Sequence, residues 1–217
     1  MPISRLYTDA FTPSDALQLL KEGNFRFINN MRQHRDLLEE VTHTKDGQKP
    51  FAAILSCMDS RTSGELVFDQ GLGDIFSIRI AGNVVTNYIL GSMEYATAVA
   101  GSRLIIVLGH TNCGAIKGAC DGVELGHLTC LLAGIQPAVS MEQTEKENRN
   151  SSNDSFVQKV ALLNVRNAVE QILERSEIIA AQVREGTVGI VPAMYDVSTG
   201  QVKFMEEHAV MPAGSFS

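Results

Sequence analysis

Two short stretches hold the residues best able to do chemistry, Cys57-Met58-Asp59-Ser60-Arg61 and His110-Thr111-Asn112-Cys113. Together they offer two thiols, an imidazole, a carboxylate and a guanidinium. His110 and Cys113 can bind one ion across a turn, and Cys57 can reach the same ion from a neighbouring strand. Two thiolates and an imidazole suit zinc by softness, and a tetrahedral ion would keep a fourth position for water or substrate. A structural zinc site normally closes with a fourth Cys or His. None stands at short spacing from either stretch, since Cys120 lies seven residues beyond Cys113. Three protein ligands therefore point to catalysis. The plainer alternative makes Cys57, His110 and Cys113 separate core residues, but it leaves Asp59 and Arg61 unexplained. A phosphatase-type loop needs a wider Cys-to-Arg spacing around a Gly-rich cradle; here the spacing is four, with Met58, Asp59 and Ser60 between.

These stretches need elements that carry them to one place. The apolar run from Phe51 to Leu55 leads into Cys57, and that from Leu104 to Leu108 leads into His110. Both read as buried parallel strands opening into loops, where α/β sheets place their sites. A third strand is expected from Asp74 to Ile80, stopped by Ala81-Gly82-Asn83, and a short helix from Ser63 to Phe68. A helix beginning at Gly114 would aim backbone N–H groups into the site. The span from Asn87 to Ala100 carries one charge, Glu94, and reads as a helix buried in the core or at a subunit interface.

Upstream, Thr12-Pro13-Ser14-Asp15 opens a helix reaching residue 31, with Leu17, Leu20, Phe27, Ile28 and Met31 as its apolar stripe. That helix is as free to pack on a partner subunit as on its own chain. Gln33 to Lys49 is polar, loop or short helix, and Met141 to Ser155 is a surface loop. Phe156 to Val183 reads as one long helix ended by Gly186; Thr187 to Asp196 and Gln201 to Met205 flank Ser198-Thr199-Gly200 as a terminal hairpin. The fold class is α/β: a central, mostly parallel sheet flanked by helices, with an N-terminal helical arm over 1–49 and an α/β core over 50–217.

The 217 residues are 44% apolar and 20% charged, ordinary for one globular domain. A formal charge of −7 argues against nucleic acid or an anionic membrane as partner, and no apolar stretch is long enough to span a bilayer. Met1 to Tyr7 lacks the basic and apolar regions of a leader, so a cytoplasmic location is expected unless a signal peptide has been removed. Four cysteines are too few for a disulfide scaffold. Cys120 and Cys130 are expected as packing residues, and His34, His43, His127 and His208 as surface residues.

Cys57-x-Asp59-x-Arg61 followed by His110-x-x-Cys113 resembles the signature of the β-class carbonic anhydrases. The resemblance extends through Arg79-Ile80-Ala81-Gly82-Asn83, Ser92-Met93-Glu94-Tyr95-Ala96, Gly114 and Tyr195-Asp196-x-x-Thr199-Gly200. It implies one Zn²⁺ per chain on Cys57, His110 and Cys113, with Asp59 and Arg61 as a catalytic dyad. The reaction implied is reversible hydration of CO₂ to bicarbonate and a proton by zinc-hydroxide attack. Two thiolates weaken zinc as a Lewis acid relative to three histidines, so an Asp59 oriented and kept ionised by Arg61 has a purpose. If that pair broke, Asp59 could become the fourth ligand, as in members with a closed state.

The resemblance favours the plant-like, open-site subtype. It places Gln48, Phe76, Ala81, Tyr95 and Gly114 in a substrate pocket at a dimer interface. Ile54 stands where bicarbonate-inhibited members carry Trp. It also implies a homodimer or homotetramer. One departure is Ile80-Ala81-Gly82, where many members read Asn-x-Ala. Two other readings keep parts of this one: a related zinc enzyme acting on CS₂ or COS, and a non-catalytic homologue serving assembly or binding.

Overall fold

The computed structural model describes residues 11–215; Met1 to Tyr7, read above for a leader, lies outside them. Strands β1 (Ala52–Ser56), β2 (Ile75–Arg79), β3 (Leu104–His110), β4 (Gly189–Tyr195) and β5 (Val202–Phe204) form one sheet in the order β2-β1-β3-β4-β5. The first four are parallel and β5 returns antiparallel to β4. The sheet is the mostly parallel one expected, closed by the expected hairpin.

Because side chains alternate across a strand, β1 and β3 feed two cores. Leu55, Ile105 and Val107 face one layer, built from α4 (Asn87–Glu94), α5 (Gly114–Cys120), α7 (Gln136–Met141), α8 (Asp154–Arg175) and α9 (Glu177–Arg184). Ile54, Leu104, Ile106 and Leu108 face the other, covered by α1 (Pro13–Ile28) and α3 (Gly64–Val67). Burial on both faces explains why these strands read as unbroken apolar runs.

α1 begins as its capping box requires, Thr12 and Asp15 each accepting from the other's end of the first turn. It packs on its own chain: Ala16, Leu17 and Leu20 enter the second core. Asn24 pins it there, its Nδ2 donating to Val67 O at 3.0 Å and Gly200 O at 2.9 Å. α2 (Leu37–Thr44) is inverted. Its Glu40 is buried against Arg35 at 3.2 Å, while Leu37, Leu38 and Val41 face outward.

Three expectations are corrected. The helix expected over 156–183 is two, because Ser176 leaves helical geometry (φ −117°, ψ 98°) to end α8 and cap α9 through Oγ, which accepts from Ile179 N. Ser176 Oγ also donates to Glu94 at 2.6 Å, so the break ties α8 to α4. Residues 126–133 form α6, and with α7 they fill a region in which no helix was expected. Cys130 on α6 is exposed rather than packed, whereas Cys120 lies against the first core.

The helix over Asn87–Ala100 ends in a π turn, Tyr95–Val99, and buries only one side in a single chain. Tyr88 is 90% exposed and Val99 71%. Among the described residues no helix is long and apolar enough to cross a membrane.

Candidate metal centre

The sheet order reverses between β1 and β3, and the crevice at their carboxyl ends is the switch point of the fold. Ser56 pairs with Leu108 there, so Cys57 leaves β1 beside the last residues of β3. His110 closes β3, and Cys113 is the N-cap of α5. Asn112 at φ +54° turns the chain between them, a conformation that Asn tolerates better than most residues. Behind the turn, Thr111 N–H donates to Tyr195 O at 2.9 Å and Thr111 Oγ1 accepts from Val197 N at 3.0 Å. The start of the hairpin thereby fixes the loop that carries His110.

Cys57, His110 and Cys113 are buried, and their donor atoms lie within 4.8 Å of one another. The two sulfurs are 3.9 Å apart. His110 Nδ1 is 2.9 Å from the Thr111 carbonyl, which can only accept, so Nδ1 carries the hydrogen and Nε2 keeps a lone pair. That Nε2 is buried with no hydrogen-bond partner. A buried, unpartnered nitrogen aimed at two thiols suits a soft divalent cation such as zinc.

The two thiols are within hydrogen-bond reach of one another. Hydrogen bonding from Cys113 holds Cys57 well below the usual thiol range, against burial, with help from the amides of Gly82 and Asp59. The same shared hydrogen bond, together with burial, pushes Cys113 up. Gly82 N–H lies 3.4 Å from Cys57 Sγ, and Gly82 reaches this position at φ +64°. A Cβ there would stand 2.6 Å from Ile135 Cδ1. The positive φ at Gly82 favours glycine, and a Cβ there would also make Ile135 shift. Asn164 Nδ2 donates to Gly82 O at 2.9 Å and anchors it to α8.

Asp59 Oδ2 is 4.0 Å from His110 Nε2. Its carboxylate is engaged by Arg61, and hydrogen bonds from that guanidinium hold its pKa below the ordinary carboxylate range. The same pairing raises Arg61. Three residues given no part above also bear on this turn. Thr62 Oγ1 lies 3.0 Å from Cys57 O, Arg79 Nε lies 3.2 Å from it, and Gly82 bonds the sulfur. A charged residue at the end of a strand otherwise rich in Ile and Phe was the available signal for Arg79.

Of the expected pocket residues, Ala81 adjoins Gly82 in a 3₁₀ turn beside the site, and Gly114 opens α5 directly after Cys113. Gln48, Phe76 and Tyr95 are elsewhere. Pro50 O accepts from Ser102, just before β3, so Gln48 enters at the far end of a strand about 16 Å long. Phe76 pairs with Ala53, three residues below the level of Ser56 and Arg79. Its ring meets Tyr95 edge-on at 6.1 Å, lining a cavity of about 550 Å³ between β2 and α4.

A family model described as carbonic anhydrase matches residues 52–202. Carbonic anhydrase 2 of Mycobacterium tuberculosis is 36% identical over 197 residues, covering 87% of this chain and 91% of the relative. The carbonic anhydrase of Mycolicibacterium smegmatis is 34% identical over 197 residues, covering 88% and 92%. Among solved structures, the β-carbonic anhydrase CcaA aligns with a TM-score of 0.67 at 25% identity over 88% of this chain and 84% of that one. A Coccomyxa β-carbonic anhydrase solved with acetazolamide gives 0.69 at 24% identity over 87% and 86%, a likeness of fold. The matched span contains both donor-bearing strand ends and β4 behind them, and the chain belongs to the carbonic anhydrases, in their β class of zinc lyases.

Proposed function

We propose that this protein hydrates CO₂ reversibly to bicarbonate at a zinc held by Cys57, His110 and Cys113, with Asp59 and Arg61 as its catalytic dyad. The observation that carries the reading is the buried, unpartnered His110 Nε2 lying between two thiols and a clamped carboxylate. Zinc bound there supplies a Lewis acid that makes water a nucleophile near neutral pH.

The chain's own groups do the rest. The Asp59 carboxylate, beside the donor cluster, accepts a hydrogen bond and so orients the attacking oxygen. Arg61 keeps that carboxylate ionised and turned away from the metal. Gly82 N–H steadies the Cys57 thiolate, and the Thr111 carbonyl fixes the His110 tautomer. Ala81 and the start of α5 wall the crevice, and the released proton passes to solvent or buffer.

Gln48, Phe76 and Tyr95 serve a partner's site in this reading, because a single chain holds them away from its own donors. The outward Leu37, Leu38 and Val41, and the exposed Tyr88 and Val99, support an oligomer of this chain. One relative in fold is described as tetrameric.

Stopped-flow CO₂ hydration by zinc-replete protein at pH 8, with CS₂ as the comparison substrate, tests the reading. We expect hydration well above background that is lost in Cys57→Ser and Asp59→Asn variants. Zinc-replete protein with no hydration above background would refute it, and turnover of CS₂ alone would reassign the substrate.

A further inference from the structure

Arg79 is a cation beside the site to which the reading above gives no part. Arg79 ends β2, where it pairs in register with Ser56, the last residue of β1. Cys57 and Asp59 lie just past that pair. The Arg79 guanidinium reaches both, its Nε donating to Cys57 O at 3.2 Å and its Nη2 to Asp59 O at 2.5 Å. Thr62 adds its backbone N–H to Asp59 O at 3.0 Å and its hydroxyl to the same pair of carbonyls. One planar cation thus bridges a metal-donor residue and the carboxylate residue two positions on.

The Arg61–Asp59 pair fixes the carboxylate relative to Arg61, and its link to the second donor loop is one long hydrogen bond, Arg61 Nη2 to Asn112 O at 3.4 Å. Asp59 and Arg61 sit on the same short loop and would move with it. Among the described residues outside that loop, Arg79 is the one whose side chain bonds the carbonyls of both Cys57 and Asp59 and so ties them to β2. We propose that Arg79 is a positioning residue. By holding the Cys57 and Asp59 carbonyls it sets the turn at Met58, so that Asp59 stays with Arg61 instead of swinging to the metal's fourth position. This rests on the zinc reading given above. The Nε–Nη2 edge is also the edge that would bind an anion at two points, and backbone carbonyls already occupy it. Arg79 therefore acts through Asp59 and not on bicarbonate.

The test compares Arg79→Gln and Arg79→Lys with the unmodified holoenzyme in zinc content, zinc release to a chelator, melting temperature, and kinetics in both directions. We expect R79Q to keep about one zinc per chain and its melting temperature, while kcat falls about tenfold in both directions with KM changed less than about twofold. Zinc release should quicken several-fold, since the backbone of a donor residue is loosened. R79K, which can reach one carbonyl, should recover part of kcat.

A raised KM for bicarbonate at unchanged kcat would make Arg79 a substrate-binding residue and overturn the proposal. So would unchanged kinetics and zinc release. A lowered melting temperature with no partial rescue by lysine would reduce Arg79 to a structural role and overturn it too. Absence of zinc and of hydration in the unmodified protein is a different result: it refutes the reading of the site, and this inference falls with it.

Discussion

Arg61 and Asp59, two positions apart, meet through parallel hydrogen bonds, Nε to Oδ1 at 2.8 Å and Nη2 to Oδ2 at 2.7 Å. The Arg61 backbone N–H adds a third bond to Oδ1 at 3.0 Å. Such a fork fixes the plane of the carboxylate as well as its charge. With Oδ2 4.0 Å from His110 Nε2, the pair holds an acceptor beside the donor cluster without making it a donor.

Replacing Arg61 with Ala should lower kcat/KM for hydration about 10²-fold while zinc content stays near one per chain. The linkage to pH has a definite sign. The Asp59 pKa is depressed in the folded protein, so its contribution to stability is present above the ordinary carboxylate value, about 3.9. It is lost as pH falls below that value toward the folded pKa. R61A should accordingly unfold at higher pH than the unmodified protein in an acid titration followed by circular dichroism. Hydration within twofold of the unmodified enzyme would exclude Arg61 from the mechanism.

The thiol pair sets the proton cost of metal binding. The hydrogen bond between the two thiols lowers Cys57 and raises Cys113, so the pair parts with its first proton easily and holds the second. Zinc binding should therefore displace about one proton from this pair, and affinity should weaken as pH falls. Isothermal titration of the metal-free protein in buffers of different ionisation enthalpy reads that number directly. Removing zinc should also lower the melting temperature, by an amount that grows with the free zinc used to restore it. Release of two protons from the thiols would show that the first is not so easily lost.

Gly82→Ala should destabilise the fold by about 1–2 kcal/mol from the left-handed backbone alone, with more added by the contact to Ile135. Urea denaturation of G82A, I135V and the double variant separates the two parts. I135V should relieve only the steric share. A G82A protein as stable as the parent would mean that the loop can move, and its zinc affinity should then reveal whether the amide bond to Cys57 matters.

Val99→Asp changes a residue that is 71% exposed in the single chain, where such a change should cost no more than about 0.5 kcal/mol. Any larger effect must come from association. We expect V99D to shift the mass measured by light scattering toward the monomer and to lower activity, because Gln48, Phe76 and Tyr95 would lose the site they serve. An unchanged oligomer would place the interface elsewhere.

The sequence by itself determined the chemistry available and the elements that present it. Zinc-type donors at two strand ends, unbroken apolar strands and a turn-marked hairpin are local signals, legible because strand burial and turn formation act over a few residues. The break at Ser176 was not legible: nothing in an amphipathic run shows that one serine hydroxyl will find Glu94 across the fold. α2 was equally closed to pattern reading, since its charge turns inward to Arg35 and its leucines outward. Only the tertiary structure brought Arg79 to the Cys57–Asp59 loop and parted Gln48, Phe76 and Tyr95 from the donors their own chain carries. The reason is strand register. Pairing Ser56 with Arg79 and Leu108 sets which side chains share a level, and that pairing joins residues far apart along the chain.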